Sequence, residues 1–465
     1  MKVHFMGIAG SGMAPIALIA KSMGYEVSGC DISDSTYYSN ALKENGIDMR
    51  VGHDESHLRD IDILAITPAV YDYNPDQPEL LKAAEMGILM TWQEFSGKYL
   101  QKDKDVIAVC GTHGKSSTTA MVGLMMENAG LDPIVEAGTI IKEWGSGYRL
   151  ADSNYFVCEA DEFNNNFLHY HPSYIAINNV EMDHPEFFKD VYEVRESYVK
   201  FIMNLKNDKV LVANLDNEGV RIVIEMAKKW ILDNNVQVYG YCTDLNNAIE
   251  WIDRKPYHYQ ILKLDPNGSS FMVGSRTFHI GIMGEYNIQN AMSVFCLAQA
   301  LHISDSVYSN SINSFHGISR RLEKKYDDKG VLLFDDYAHH PTEVQSVLET
   351  LKKVYNKKRL IAIFEPHQIS RLRLFVDEFS KAFSIADEVI ITKTFVGREV
   401  LKDLKPLDIS ILKNKVGDKL VNIEEFDDVV KYVLNAIFGN EVIVVFGAGY
   451  SYKLTAQLNE ALLLR

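Results

Sequence analysis

The stretch VIAVCGTHGKSS (106–117) decides how the chain is read. Its apolar start predicts a buried strand, and the turn after it opens a helix from Lys115 onward. In that turn Gly111, Thr112, His113, Gly114, Lys115, Ser116 and Ser117 bring together backbone N–H groups, a helix N-terminus and an ammonium group. Such a set suits the oxygens of a triphosphate, as in ATP, and the Ser116 hydroxyl is placed to meet Mg2+. A full phosphate-loop pattern has glycine five residues before Gly114. Val109 stands there, so the loop is a shortened one. A GKS arising by chance in a strand–helix turn is the competing reading.

Downstream, YFVCEADE (155–162) ends in Glu159, Asp161 and Glu162, and YIAINNVEMDH (174–184) ends in Asp183 and His184. A carboxylate at a strand end beside a phosphate loop is where a second Mg2+ ligand belongs. Each one alone reads equally as a solvated loop charge. VLVAN (210–214) adds a strand, and residues 288–301 read as an amphipathic helix.

Upstream, KVHFM (2–6) is a strand, followed by Gly7-Ile8-Ala9-Gly10-Ser11-Gly12, a helix over about 13–23 and the strand EVSGCD ending at Asp31. Backbone N–H groups of this turn can approach a diphosphate, and Asp31 lies where an acidic residue reaches a ribose hydroxyl. Alone, the turn would suggest a dinucleotide dehydrogenase or a purely structural bend. Ala9 holds the second glycine position of the usual dinucleotide fingerprint. IDILAITPAV (61–70), a helix over 76–86 and GILMT (87–91) continue the alternation to the charged QKDKD (101–105). A third series follows SFHGISRRLEKK (314–325): VLLFDDYA, RLIAIFEP, EVIITK and EVIVVFGAG.

The expected fold is therefore α/β, with three tandem domains: Rossmann-like (1–103), a central phosphate-loop ATPase type (104–314) and Rossmann-like again (315–465). At 465 residues the chain is too long for one core. A net charge of −16 argues against nucleic acid or anionic membrane as a partner. Cys30, Cys110, Cys158, Cys242 and Cys296 are scattered, odd in number and without a CxxC pair, which reads as reduced structural thiols rather than bridges or zinc ligands. No leader pattern or membrane-length apolar run stands out, so the expected location is cytoplasmic, as a monomer or weak homodimer.

GTHGKS, EADE, N-x-E-x-D-H, G-x-x-N-x-x-N-A, RR, DDYAHHP and PH-x-x-S-R, in that order, resemble the Mur ligases along essentially the whole chain. The N-terminal G-x-x-G-x-GM turn is similar to that of the alanine-adding members. The resemblance implies ATP- and Mg2+-dependent joining of L-alanine to UDP-N-acetylmuramate in bacterial wall synthesis, through an acyl phosphate that the amine attacks. It assigns Lys115, Glu159, His184 and Arg371 to catalysis. The phosphate loop with Asn287, Asn290, Arg320 and Asp336 would bind ATP, and Arg321 belongs to the same arginine pair. Gly7, Gly10, Gly12, Met13, Asp31 and Thr67 would bind the UDP-sugar. His339, His340, His367 and Arg371 would form the amino-acid site. Ser116 and Glu159 would hold one Mg2+, and Glu159 with a neutral His184 a second. Asn287 reads as readily as a helix cap. The third domain is expected to close about hinges near 100–105 and 312–320.

Glu365 stands where alanine-adding members show Gln, and Gln368 where many show Arg. The family's carbamylated lysine has no counterpart around VYEVRESYVKF (191–201). A related ligase that recycles a whole tripeptide, and a silent nucleotide-binding protein, are the alternatives.

Overall fold

The computed structural model describes residues 1–34, 37–68, 70–71, 74–396 and 409–465. In its first unit β1 (Lys2–Met6), β2 (Glu26–Asp31), β3 (Asp48–Val51), β4 (Ile63–Ile66) and β5 (Leu89–Thr91) form a parallel sheet in the order β3-β2-β1-β4-β5. The chain winds one way from β1 to β3 and then returns to the other side for β4. This opens a crevice at the carboxyl ends of β1 and β4, where open α/β sheets take ligands. Gly7 and Thr67 stand at those ends, so close that a Cβ on Gly7 would lie 3.0 Å from Thr67 Cγ2.

The central sheet is built from β6 (Asp105–Cys110), β7 (Ile134–Ile141), β8 (Ser146–Arg149), β9 (Tyr155–Glu159), β10 (Tyr174–Ile177), β11 (Val210–Asn214), β12 (Gln237–Cys242), β13 (Tyr257–Asp265), β14 (Gly268–Val273) and β15 (Arg276–Ile280). Its order is β15-β14-β13-β12-β11-β10-β6-β9-β7-β8. From β12 to β7 the pairing is parallel, and the strand VIAVC is buried on both faces, as an interior parallel strand must be. The edges are antiparallel: β7 with β8, and the meander β13-β14-β15. The sequence reading did not foresee these edges. The phosphate-loop strand β6 lies between β9 and β10, so its turn faces their carboxyl ends.

The third sheet has β16 (Glu323–Asp328), β17 (Val331–Asp336), β18 (Arg359–Phe364), β19 (Glu388–Ile391), β20 (Leu420–Asn422) and β21 (Glu441–Phe446), in the order β16-β17-β21-β18-β19-β20. Only β16 is antiparallel among the described residues.

The three units are joined differently. One apolar cluster runs from Val3 and Phe5 through Phe95 and Leu100 to Ala108, Phe156 and Phe201, welding the first unit to the central one. QKDKD, expected as a hinge, is a tight turn at that weld. Gln101 is buried there, its amide donating to Ser96 Oγ at 3.3 Å and Cys158 Sγ at 3.7 Å. The third unit keeps its own cores on both faces of its sheet and meets the central unit through polar pairs together with Met182, Met283 and Tyr286, which pack against one of those cores. Interfaces of the second kind permit domain motion. The connector near 314–322 is held to β7, with Ser319 N–H donating to Ile140 O at 3.0 Å.

The helix expected to be amphipathic, Glu285–Ala300, is buried on almost every side from Asn287 to Ala298. Its polar residues do not mark a solvent face. Ser293 Oγ donates to Asn178 Oδ1 at 2.7 Å, and Asn290 touches the phosphate loop, so the polar stripe is turned inward. Among the described residues no helix is long and apolar enough to cross a membrane.

Candidate active site

Gly114 caps the helix Lys115–Asn128 with left-handed φ +81°, a conformation that glycine adopts without strain. A Cβ there would stand 2.4 Å from Asn290 Oδ1. The loop and the Glu285–Ala300 helix therefore meet at a contact only glycine permits. The first turn of the Lys115–Asn128 helix has no side-chain cap, and its N–H groups face the cavity. The loop is tied to β10: Asn179 Oδ1 accepts from His113 N–H at 2.7 Å, and Glu181 N–H donates to Thr112 Oγ1 at 2.9 Å. Lys115 Nζ donates to Gly111 O at 2.7 Å and to the buried Glu162 at 3.0 Å. Burial alone would lower the Lys115 pKa, but Glu162 and Asp161 raise it, so the ammonium persists.

Glu159 ends β9 against the loop. Its Oε1 accepts from Gly138 N–H at 2.7 Å, and the Ser116 hydroxyl bonds to the same carboxylate. Burial raises its pKa, and the buried Glu136 beside it is raised further by burial and by Glu159. His184 sits at φ +53° with Asp161 and Glu162, donor atoms of all three lying within 4.8 Å of one another. Burial would lower the His184 pKa, but Asp183, Glu186 and the neighbouring acids push it up to about 9.

The third unit supplies the other wall. Arg321 Nη1 donates to Glu343 Oε1 at 2.9 Å, and His113 Nδ1 lies 3.3 Å from the same oxygen. Burial would lower the His113 pKa, but Glu343 and Glu181 push it up to about 10. Arg371 is buried, with Nη2 donating to Asp183 Oδ1 at 2.5 Å and Nη1 at 3.0 Å from His367 Nδ1. Burial would raise the Asp183 pKa, but His184 and Arg371 hold it well below the usual carboxylate range. His339 stacks edge-on against His367 at 5.2 Å. His340 caps the helix Pro341–Val354 and reaches Met182 O at 3.2 Å. Burial and His113 push its pKa down to about 4. Asp336 is buried, accepts from Leu322 N–H at 2.6 Å and Ala338 N–H at 2.8 Å, and burial pushes it up to about 6.

Several residues stand other than where the sequence reading put them. Arg320, at φ +58°, turns back into the third unit, donating to Gly447 O at 2.5 Å and Ser451 Oγ at 2.9 Å. Arg321 is the guanidinium that lines the cleft. Asn287 is the third residue of its helix, behind the cap Gly284, and donates to Met283 O at 2.8 Å; Asn290 alone of the pair lines the cavity. Asp31 Oδ2 accepts from Ala9 N–H of the glycine turn at 2.9 Å, and its Oδ1 accepts from the neighbouring Ile32 N–H at 2.7 Å. Gly10 N–H closes the turn onto Gly7 O at 3.1 Å, and Met13 is buried at the helix start. Glu365 points into the third unit, accepting from Tyr450 N–H at 3.1 Å and Ser451 N–H at 2.9 Å. Gln368, at φ +65°, lines the cleft.

A cleft of about 1710 Å3 collects these groups from all three units: Gly12 and Trp92 from the first, Lys115, Ser116, Glu159 and His184 from the centre, His339, His367 and Arg371 from the third. A neighbouring cavity of about 940 Å3 is lined by Gly114, Ser117, Asn290, Asp336, Tyr286 and Ser346. Glu343, Glu181, Asn179 and Tyr286 were assigned no role from sequence. Asn179 and Glu181 belong to the N-x-E-x-D-H segment, and Glu343 follows DDYAHHP by two residues, so proximity to quoted motifs was the available signal. The donor set suits Mg2+ and a nucleotide: it is rich in oxygen, Glu162 Oε1 is buried without a hydrogen-bond partner, and the cradle at Gly114 excludes a Cβ.

Family descriptions match in sequence order: "Mur ligase family, catalytic domain" over 2–100, "Mur ligase middle domain" over 109–298 and "Mur ligase, glutamate ligase domain" over 320–449. The chain is similar to the UDP-N-acetylmuramate--L-alanine ligase of Caldicellulosiruptor saccharolyticus, with 35% identity covering 96% of both chains. It is 31% identical to the enzyme of that name from Clostridium perfringens, over 97% of this chain and 96% of the other. Its fold superposes on the UDP-N-acetylmuramate-alanine ligase of Thermotoga maritima with a TM-score of 0.78, 25% identity and 100% and 99% coverage. A murein peptide ligase from Psychrobacter arcticus shares the fold, with a TM-score of 0.69, 23% identity and 99% and 98% coverage.

Proposed function

The chain belongs to the Mur ligase family, and from that premise we propose that it joins L-alanine to the lactyl carboxylate of UDP-N-acetylmuramate, cleaving ATP to ADP and phosphate, in peptidoglycan precursor synthesis. The observation that carries the reading is the one cleft bounded by Gly12, by Lys115 with Glu159, and by Arg371 with His367. Those walls match three reactants: a UDP-sugar at the first unit, ATP at the centre and an amino acid at the third. The full-length similarity to proteins named UDP-N-acetylmuramate--L-alanine ligase supports the sugar nucleotide and the amino acid, and the phosphate loop supports ATP.

The carboxylate oxygen attacks the γ-phosphorus, ADP departs, and the neutral amine of L-alanine then attacks the acyl phosphate and expels phosphate. Two anions must meet in the first step. Lys115, the open helix N-terminus behind Gly114 and Arg321 supply the opposing charge. One Mg2+ held by Ser116 and Glu159, and a second held by Glu159 with a deprotonated His184, would add the remaining charge neutralisation. Asp183 positions Arg371, and Glu343 positions Arg321 and His113 across the unit boundary. Closure through these contacts shields the acyl phosphate from water. On this reading 1–103, 104–314 and 315–465 are the UDP-sugar, ATP and amino-acid domains. The enzyme works in the cytoplasm as a monomer or weak homodimer.

Phosphate release from ATP, with UDP-N-acetylmuramate and Mg2+, tests the proposal. Release that requires L-alanine is expected. Release only with the L-Ala-D-Glu-diaminopimelate tripeptide would make it a recycling ligase, and none with any acceptor would make it a silent nucleotide-binding protein.

A further inference from the structure

Beneath the glycine turn of the first unit lies a second cluster of chemically capable side chains that the ligase reaction does not use. His4 stands on β1, Cys30 on β2, His57 in the helical turn Glu55–Leu58 and Glu79 in the first turn of the helix Pro78–Met86. His4, Cys30 and Glu79 have no exposed surface, and the His57 side chain is 10% exposed. One donor atom from each lies within 4.8 Å of every other. His4 Nε2 and His57 Nδ1 stand 3.3 Å and 3.4 Å from Glu79 Oε1, and Cys30 Sγ stands 3.4 Å from Glu79 Oε2. A tetrahedral zinc ion, about 2.0 Å from nitrogen or oxygen and 2.3 Å from sulfur, sets its ligands roughly 3.3–3.6 Å apart. The three spacings to Glu79 fall in that range, and the remaining donor pairs lie within 4.8 Å.

Two further observations point to a ligand. His4 Nε2 and His57 Nδ1 are buried and crowd the same Glu79 oxygen, which is the one polar group either nitrogen faces among the described residues. A single carboxylate oxygen serves two buried imidazole nitrogens poorly, and a metal ion between the four donors would satisfy both. In addition, His4 Nδ1 lies 2.8 Å from Ser28 Oγ. With Nδ1–H donating there, the Nε2 lone pair faces the cluster, as outer partners orient metal-bound imidazoles. The surroundings, Met6, Leu58, Leu64, Ile66, Leu80 and Ala83, are apolar.

We propose that His4, Cys30, His57 and Glu79 form a binding site for a zinc-class divalent cation, separate from the Mg2+ chemistry of the cleft. A mixed sulfur, nitrogen and oxygen set selects zinc or cobalt over magnesium. His53, 17% exposed, borders the cluster on its outer side, with Nδ1 3.1 Å from Cys30 Sγ and 3.8 Å from Glu79 Oε2. The site clamps β1, β2 and the Pro78–Met86 helix. Because Cys30 O accepts from Gly7 N–H at 2.7 Å and Ile8 N–H at 3.1 Å, the bound ion braces the glycine turn.

The test uses the full-length protein, stripped by chelator and titrated with Co2+ alone. A thiolate-to-cobalt charge-transfer band that saturates at one cobalt per chain is expected, and any further cobalt taken up by the cleft adds no such band, since the cluster Asp161, Glu162 and His184 contains no sulfur. Cys30→Ser should abolish the band, and His57→Asn, at the rim, should weaken cobalt binding by about tenfold or more. Zn2+ should raise the melting temperature of the stripped wild-type protein, with Mg2+ already present to fill the cleft, and should raise that of Cys30→Ser less. Folded wild-type protein that shows no thiolate band and no melting shift with Zn2+ overturns the proposal, whether or not Cys30→Ser folds.

Discussion

Arg371 of the third unit donates to Asp183 of the central unit at 2.5 Å, and both side chains are buried. A buried pair broken on one side costs about 3–5 kcal/mol. Here opening of the third unit would hydrate the orphaned charge, so the loss falls on the closed state rather than on folding. Arg371→Met and Asp183→Asn should each lower kcat/KM for L-alanine by roughly 10²-fold or more. The melting temperature should change little, and Arg371→Lys should recover only part of the activity. Wild-type kcat/KM in Asp183→Asn would refute the positioning role of Asp183.

Lys115 has two roles that a pair of substitutions separates. It neutralises the buried Glu162 at 3.0 Å as well as facing the cleft. Lys115→Ala should abolish phosphate release and destabilise the central unit by roughly 3 kcal/mol. Adding Glu162→Gln should restore most of the thermal stability and none of the turnover. Equal melting temperatures for Lys115→Ala and its double variant would show that the pair contributes nothing to folding.

His340 sets an acid limit. A free imidazole titrates near 6.5, whereas burial and His113 push His340 down to about 4. The fold favours the neutral ring, so the associated stability is complete above pH 6.5 and drains as pH falls toward 4. Its size is about 3 kcal/mol. His340→Asn keeps an oxygen to cap Thr342 N–H and removes the titration. Melting temperature followed from pH 7.5 to 4 should fall less steeply in the variant; parallel curves would contradict the assignment.

Glu365 should be irrelevant to amino-acid choice. Its carboxylate caps the helix Ser451–Leu463 through Tyr450 and Ser451 N–H. Glu365→Gln should cost about 1 kcal/mol in stability. It should leave the preference for L-alanine over glycine or L-serine unchanged in the phosphate-release assay. A shifted preference would return this residue to the substrate.

The parallel strands and both glycine turns were legible because apolar runs and the residues ending them are contiguous in the chain. For the same reason Lys115, Glu159, His184 and Arg371 could be named from short motifs, and the structure brings them to one cleft. What stayed hidden depends on partners distant in sequence. The polar stripe of Asn287, Asn290 and Ser293 looks like a solvent face until the phosphate loop and β10 are placed against it. His4, Cys30, His57 and Glu79 share no spacing that resembles a metal motif, and a scattered cysteine reads as an inert thiol. Asp31 was read as a ribose contact from its position, and its hydrogen bond from Ala9 N–H of the glycine turn, 22 residues away, was not legible.

The left-handed backbone at Arg320 sends two identical neighbouring side chains to opposite sides, one into the third unit and one into the cleft. Ser319 is fastened to Ile140 on one flank and Arg321 to Glu343 on the other, so the segment between them is a spacer of fixed count. Surface connectors usually absorb a gained or lost residue. In this one a residue inserted between Arg320 and Arg321 would put a foreign side chain at the cleft and carry the second guanidinium away from Glu343.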